Sequence, residues 1–222
     1  MQVKLISYSQ PPKDSISNIN DIKDLVSFCA RVSNPSNQLN TETAEKLINY
    51  LLKHKHFNPF EMVNVCLEIE TTRDISRQIL RHRSFCFQEF SQRYADPTEK
   101  LEFKIRDARL QDPENRQNSI DMVPDNILKE AWKIRQQTVI NLVKQEYEWA
   151  IKNGIAKECA RVILPEGNTS TRMYMNGTLR SWIHYIDVRS GNGTQVEHLL
   201  IARECAVAIT DIFSMITNFV QP

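Results

Sequence analysis

Near the middle of this chain a period-two run gives way at once to a helical one, and both carry an apolar face. In MVNVCLEIE, Val63, Val65, Leu67 and Ile69 alternate with more polar neighbours, the pattern of a strand with one side on a core. The residues that follow, TTRDISRQILRHR, put Ile75, Ile79 and His82 on one stripe at helical spacing, with Thr72 at the capping position. A chain that switches period this abruptly must pack helices on a sheet, because each element has one apolar side to bury.

The remaining segments extend that mixture. VKLISYS reads as a strand, and DIKDLVSFCARVS as a helix with Ile22, Leu25, Val26 and Cys29 on its apolar side. A loop through NPSNQLN leads to a second helix, TETAEKLINYLLKHK, capped at Asn40 or Thr41 and broken by HFNPF. QEFSQRY alternates as a strand, which predicts Glu89, Ser91 and Arg93 on one face. Residues 96–125 carry Pro97, Pro113 and Pro124 with little periodicity, so an irregular excursion with one short strand around LEFKIR is expected. The longest helix follows from Asn126, with Leu128, Ala131, Trp132, Val139, Leu142, Val143, Ala150 and Ile151 as its apolar stripe and Gly154 as its stop. That stripe suits a monomer core or a subunit interface equally well. AKECARVILP gives a short helix, TSTRMYMNG a strand, and TLRSWIHYIDVRSG and VEHLLIARECAVAITDIFSMITNF two further helices. With no internal repeat and no long linker, the expectation is one α/β domain of the α+β type over 1–222, a mixed sheet flanked by long helices.

Charge narrows the function classes. The net charge is +1, so no whole-molecule field draws the chain to nucleic acid or anionic lipid, and any basic site must be local. No apolar run reaches the roughly 18 residues of a membrane span, and the N-terminus lacks a signal-peptide core. The 5 cysteines are scattered without a CxxC, which points to reduced thiols in a cytoplasmic, soluble protein. No metal site is expected, because His54-Lys55-His56 has no third ligand beside it.

The local basic site is RHRSFCFQEFSQRY, where Arg81, His82 and Arg83 end a helix. Cations there oppose the helix dipole, each worth about 0.3–1 kcal/mol, and this alone would account for them. The polar group that follows adds donors and acceptors. Arginine's planar fork suits phosphate, and Glu89 could hold a ribose hydroxyl or orient an arginine. Together they suit a nucleotide better than a nucleic-acid backbone. Ser91 has neither a GxSxG elbow nor an evident base, Cys86 reads as a small core residue, and neither GxGxxG nor GxxxxGK[ST] is present.

RHR followed after 7 residues by SQR resembles the RHR-x7-S-x-R signature of the flavin-dependent thymidylate synthases. ARVS, KHKHFNPFE, SRQILRHR, ECARVILP and RSWIHYIDVRS resemble further blocks of that family, in its order, over nearly the whole chain. The resemblance implies the thymidylate synthase-complementing fold and the conversion of dUMP to dTMP, with 5,10-methylenetetrahydrofolate as carbon donor and a bound FAD that NADPH reduces. In the family the carbon unit and hydride reach the ring by way of reduced flavin, without a cysteine attacking the base, in keeping with the missing nucleophile. It also implies a homotetramer whose active sites draw on several subunits.

Carried over block by block, the resemblance assigns dUMP to Gln78, Arg81, Glu89, Ser91, Gln92, Arg93, Arg161 and Arg189. It assigns FAD to His56, Asn58, Arg81, His82, Arg83, Glu89, Thr178, Arg180 and His184. Arg189 takes the catalytic position, a cation against the pyrimidine where negative charge develops. Gln92 stands where many members have Gly, Asn58 where Thr is common and Thr178 where Asn is common; each still offers polar or backbone contacts. The rival from another class is a nucleic-acid face made by Arg73, Arg77 and Arg81 at i, i+4 and i+8, which the net charge of +1 disfavours. A second rival keeps the flavin fold but methylates another pyrimidine nucleotide.

Overall fold

Val65, Leu67 and Ile69 are fully buried on one side of β2 (Asn64–Thr72), the strand that organises the rest. The computed structural model describes residues 2–12, 19–121 and 126–222. β2 lies between β1 (Gln2–Tyr8) and β6 (Ser170–Thr178), and β3 (Phe85–Glu89) closes the other edge, giving the order β1-β2-β6-β3. Every pairing in this sheet is antiparallel. The α+β expectation therefore holds, but the expected mixed sheet is an antiparallel one. Strands that return after helical excursions can still pair antiparallel, a choice their individual periodicities do not encode.

One face of the sheet is covered by helices. Besides the valines and isoleucines of β2, Met173 and Met175 of β6 point into the core, where α7 (Leu179–Arg189) contributes Trp182, Tyr185 and Ile186 and α8 (Val196–Thr210) contributes Ile201, Cys205 and Ile209. Burying each such aliphatic side chain stabilises the fold by about 1.5–3 kcal/mol. Trp182 reaches a backbone acceptor, its Nε1–H donating to the Val65 carbonyl at 3.0 Å. The opposite face is polar, with Arg172 paired to Glu70 across β6 and β2. α1 (Ile22–Ala30) is capped by Asp21, whose side chain accepts the Asp24 N–H at 2.8 Å. α2 (Ala44–Lys53) begins at Thr43 rather than Asn40 or Thr41, because Arg31 engages both the Asn40 carbonyl and Thr43 Oγ1 and holds 40–43 in a turn.

Three further expectations change. The strand through QEFSQRY stops at Glu89: the Ser91 carbonyl accepts from Tyr94 and Ala95 at 3.1 and 3.2 Å, so 91–95 is a turn. Ser91 and Arg93 therefore do not continue the Glu89 face. LEFKIR is not a strand. After α4 (Pro97–Lys100), the only strands among described residues of that stretch are β4 (Arg109–Gln111) and β5 (Ser119–Asp121), paired with each other, and residues 122–125 lie outside the described residues.

The third change concerns α5 (Asn126–Lys152). Its buried residues are Gln136, Ile140, Tyr147 and Ala150, whereas Leu128, Trp132, Val139 and Leu142 of the expected stripe are exposed. The incoming 101–106 segment decides this: Phe103 packs by Tyr147 and Ala150, and Gln136 exchanges hydrogen bonds with Arg106 at 2.9 and 2.8 Å. Ile127, Ile134 and Trp149 are exposed as well, so α5 presents more apolar surface than one chain covers. Gly154, at φ 78°, ends the helix in the left-handed conformation that glycine adopts without strain. Among the described residues, no helix is long and apolar enough to cross a membrane.

Candidate functional site

The β3–β6 register pairs Phe85 with Gly177 and Glu89 with Met173. The RHR turn just before Phe85 is thus brought beside Thr178, where α7 begins. Thr178 caps that helix, its Oγ1 accepting the Ser181 N–H at 3.2 Å, and Ser181 Oγ donates to the Ser84 carbonyl at 3.2 Å. The turn is therefore held to the first turn of α7. At the other end of the helix, Arg189 Nε donates to His82 Nε2 at 3.0 Å, and the His82 ring lies edge-on to Tyr185 at 5.0 Å. Two blocks more than 100 residues apart in sequence meet here.

A histidine nitrogen that accepts from an arginine must be unprotonated. Burial, then the positive charges of Arg189, His184 and Arg81, push His82 down to about 4. It is neutral at neutral pH and positions Arg189 instead of competing with it. Arg81 and Arg83 are exposed, and among the described residues their side chains make no hydrogen bond or ion pair.

Gln78, at the end of α3 (Arg73–Ile79), belongs to a chain of side chains that sequence reasoning did not single out. Its Nε2 donates to Gln195 Oε1 at 2.7 Å, and its Oε1 lies 3.2 Å from His198 Nδ1. His198 Nε2 lies 3.1 Å from the Tyr185 hydroxyl, and Gln195 Nε2 donates to Glu197 Oε2 at 3.0 Å. Glu197 in turn pairs with Arg109 of β4 at 2.6 Å. The available signal was one polar residue, His198, on the α8 stripe that otherwise reads Ile201, Ala202, Cys205 and Ile209.

Glu89 is held by three donors: Ser76 Oγ at 2.6 Å, Thr171 Oγ1 at 2.9 Å and Arg73 Nη1 at 3.3 Å. It ties α3 to the sheet, about 13 Å along β3 from the RHR turn. Arg77 pairs with Glu166 at 3.0 Å. With Arg73 and Arg77 both neutralised by carboxylates, the helical face of the nucleic-acid reading carries little free charge.

The turn that begins at Ser91 packs against α6 (Lys157–Ala160): Arg93 pairs with Glu158 at 2.9 Å, and Lys157 Nζ donates to the Tyr94 carbonyl at 3.1 Å. Arg161 follows directly and is half-buried, so the SQR and ECARVILP blocks meet. Gln92 is buried, and its Nε2 has no hydrogen-bond partner among the described residues. Among the described residues, no hydrogen bond or ion pair joins this group to Gln78, His82 or Arg189.

A cavity of about 730 Å³ opens at the RHR end of the sheet, lined among others by Lys55, Glu61, Ser84, Arg180 and His184. Arg180 pairs with Glu61, and His184 is exposed on the solvent side of α7. Lys55 takes a left-handed conformation, φ 57°, where α2 ends, and the next residue, His56, donates its N–H to the Leu51 carbonyl at 2.8 Å. His56 and Asn58 are exposed beyond this stop; His56 stacks near Tyr50 and His54 rather than lining the cavity. Its charged lining is balanced, Lys55 and Arg180 against Glu61 and Asp187, and its size and mixed apolar and hydrogen-bonding walls are those of a small-molecule site. A larger cavity of about 850 Å³ at the opposite end of β2 and β6 holds none of the predicted site residues.

The model of the thymidylate synthase complementing protein family matches residues 16–213. The chain is 47% identical over 205 residues to a probable flavin-dependent thymidylate synthase of Paramecium bursaria Chlorella virus 1, covering 92% of each chain. It is 46% identical over 213 residues to the flavin-dependent thymidylate synthase of a Synechocystis strain, covering 96% of this chain and 94% of that one. The crystal structure of the UMP/dUMP methylase PolB from Streptomyces cacaoi, bound with 5-Br dUMP, superposes with a TM-score of 0.76 over 98% of this chain and 93% of that one. At 22% identity that likeness speaks to the fold.

Proposed function

The chain belongs to the thymidylate synthase complementing protein family, and from that premise we propose that it is a flavin-dependent thymidylate synthase, a methyltransferase that converts dUMP to dTMP. The observation that carries the reading is the Arg189–His82 hydrogen bond, 3.0 Å, which unites the RHR turn with the arginine assigned to the pyrimidine. Because His82 is neutral, it accepts from Nε and leaves the guanidinium's outer N–H groups free to face the ring, where they offset developing negative charge.

Gln78, Arg81, Ser91, Gln92, Arg93 and Arg161 supply the remaining contacts to dUMP, and the unpartnered Gln92 amide is a buried donor suited to a ligand oxygen. FAD falls to the cavity end, with Arg81, His82, Arg83, Thr178, Arg180 and His184 as its partners, His56 and Asn58 at the edge, and Glu89 ordering α3 between the two ligands. Bound FAD, with NADPH as reductant and 5,10-methylenetetrahydrofolate as carbon donor, supplies the redox chemistry of methyl transfer. Burial pushes the Cys29, Cys66 and Cys205 thiols up, away from the thiolate form, while Cys86 and Cys159 are exposed.

Two observations support a homotetramer with shared active sites. Among the described residues of one chain, no hydrogen bond or ion pair joins the Ser91–Arg93–Arg161 group to the Arg189 group, and α5 exposes Ile127, Ile134 and Trp149. Residues 1–222 act as one unit, and 5 free thiols suit a reducing cytoplasm.

The test begins with colour. The purified protein is expected to be yellow, to bleach with NADPH, and to form dTMP from dUMP when the folate is added. A colourless protein that cannot be reconstituted with FAD refutes the proposal. Methylation of UMP without methylation of dUMP moves the reading to another pyrimidine nucleotide. Light scattering is expected to give four times the 25.9 kDa chain mass, and a monomer refutes the shared sites.

A further inference from the structure

The side chains linking Arg109 to Tyr185 form one uninterrupted row, and its hydrogen-bond directions can be read from one end. Glu197 is 5% exposed. Burial would raise its carboxyl, but hydrogen bonds from Arg109 and Gln195 and the Arg109 charge hold it below the usual range, so it is ionised and can only accept. Gln195 must then give Glu197 its amide N–H, at 3.0 Å, and turn its carbonyl oxygen toward Gln78. Gln78 must answer with its own N–H, at 2.7 Å, which turns its Oε1 toward His198. A carbonyl oxygen needs a donor, so His198 carries its proton on Nδ1, 3.2 Å away, and Nε2 accepts from the Tyr185 hydroxyl at 3.1 Å. Burial first, then the Arg189 and His82 charges, push His198 down to about 3, which keeps the ring in this single-proton form.

We propose that His198 is a positioning residue for nucleotide binding: with the Arg109–Glu197 ion pair at the far end of the row, it locks the Gln78 amide in one orientation. The inference rests on the reading that Gln78 contacts dUMP. An amide can flip by half a turn and swap its donor and acceptor ends. Here both ends are taken, Oε1 by His198 and one N–H by Gln195, so what Gln78 presents is its second N–H. That donor matches an oxygen of the nucleotide's phosphate or sugar. The row also extends to the β4–β5 hairpin, so Arg109 of that segment helps to set the site.

The test measures the dissociation constant of dUMP by calorimetry and KM against kcat in dTMP formation, on flavin-loaded wild type and variants. His198→Leu removes the donor and is expected to weaken dUMP about tenfold, the loss of one well-aligned hydrogen bond. His198→Asn places an amide N–H where Nδ1 was and is expected to restore binding to within about threefold of wild type. The effect should fall on KM, with kcat little changed. Glu197→Gln, nearly isosteric, lets the row run in either direction and is expected to weaken dUMP about threefold. Gln78→Ala calibrates the reading beneath the proposal. If it leaves dUMP binding unchanged, Gln78 is not a ligand and the underlying assignment fails. If Gln78→Ala weakens binding while His198→Leu does not, the positioning role fails alone. Equal loss in the Leu and Asn variants makes His198 a space-filling residue and overturns the proposal. Should His198→Leu not fold, an unchanged dissociation constant in Glu197→Gln overturns it equally.

Discussion

Gly177→Ala tests whether the site depends on the close approach of β6 to β3. A Cβ at Gly177 would fall 2.4 Å from Phe85 Cδ1, 2.6 Å from Cε1 and 3.2 Å from Cγ. Carbon atoms rest at about 3.5–4.0 Å, so the ring would have to retreat by about 1 Å. It has no room to do so, because it packs against Trp182 at 4.8 Å and Tyr185 at 6.0 Å between ring centroids, both fully buried. Overpacking of this kind costs about 1–3 kcal/mol. At roughly 2–4 °C per kcal/mol for a chain of this size, the melting temperature should fall by about 2–12 °C. Phe85 directly follows Ser84, whose carbonyl holds the turn to Ser181, so flavin content should fall as well. The assay is thermal unfolding in a double-mutant cycle with Phe85→Ala, which removes Cγ, Cδ1 and Cε1 and with them the clash. In that background the added methyl should cost under about 0.5 kcal/mol, a coupling of at least about 0.5 kcal/mol. An unchanged melting temperature, or an equal loss in both backgrounds, refutes the steric argument.

Other perturbations have signs that follow from the same contacts. Arg189→Ala should abolish dTMP formation while most flavin is retained, and loss of flavin as the first defect would contradict the pyrimidine role of Arg189. Glu89→Ala leaves the buried Ser76 and Thr171 hydroxyls and Arg73 without their acceptor. It should lower the unfolding free energy by about 2–4 kcal/mol in urea, with Glu89→Gln milder because one acceptor oxygen remains; equal losses would refute the acceptor role. His82 and His198, pushed down to about 4 and about 3, bind protons more readily unfolded, near 6.5, than folded. Their contribution to stability is present above about pH 6.5 and is lost as pH falls toward 4. The slope is up to about 1.4 kcal/mol per pH unit for each, and a urea midpoint that is flat from pH 7 to 5 would rule this out.

What the sequence by itself determined was the long helices and the strands with a clear apolar alternation, and the family whose motifs they carry. Alternation at Val65, Leu67 and Ile69 marks β2, Thr72 marks the start of α3, and Gly154 marks a stop, because these signals act within a few residues. The blocks with RHR and SQR identified the family, and the resemblance they carry supplied the arginines on which the proposed site rests. Only the tertiary structure decided which elements meet. It ended β3 at Glu89 and turned Ser91 and Arg93 toward Glu158, and it chose Ile140 and Tyr147 over Trp132 and Leu142 as the buried side of α5. It also turned His198, an ordinary histidine in a helical string, into the partner of Gln78 120 positions away. Periodicity specifies which side of an element is apolar or polar but not what will cover it. Hydrogen bonds such as Arg189 to His82 and His198 to Gln78 are set by the register of β3 on β6 and by the packing of α7 and α8 on the sheet, and those are properties of the assembled layers.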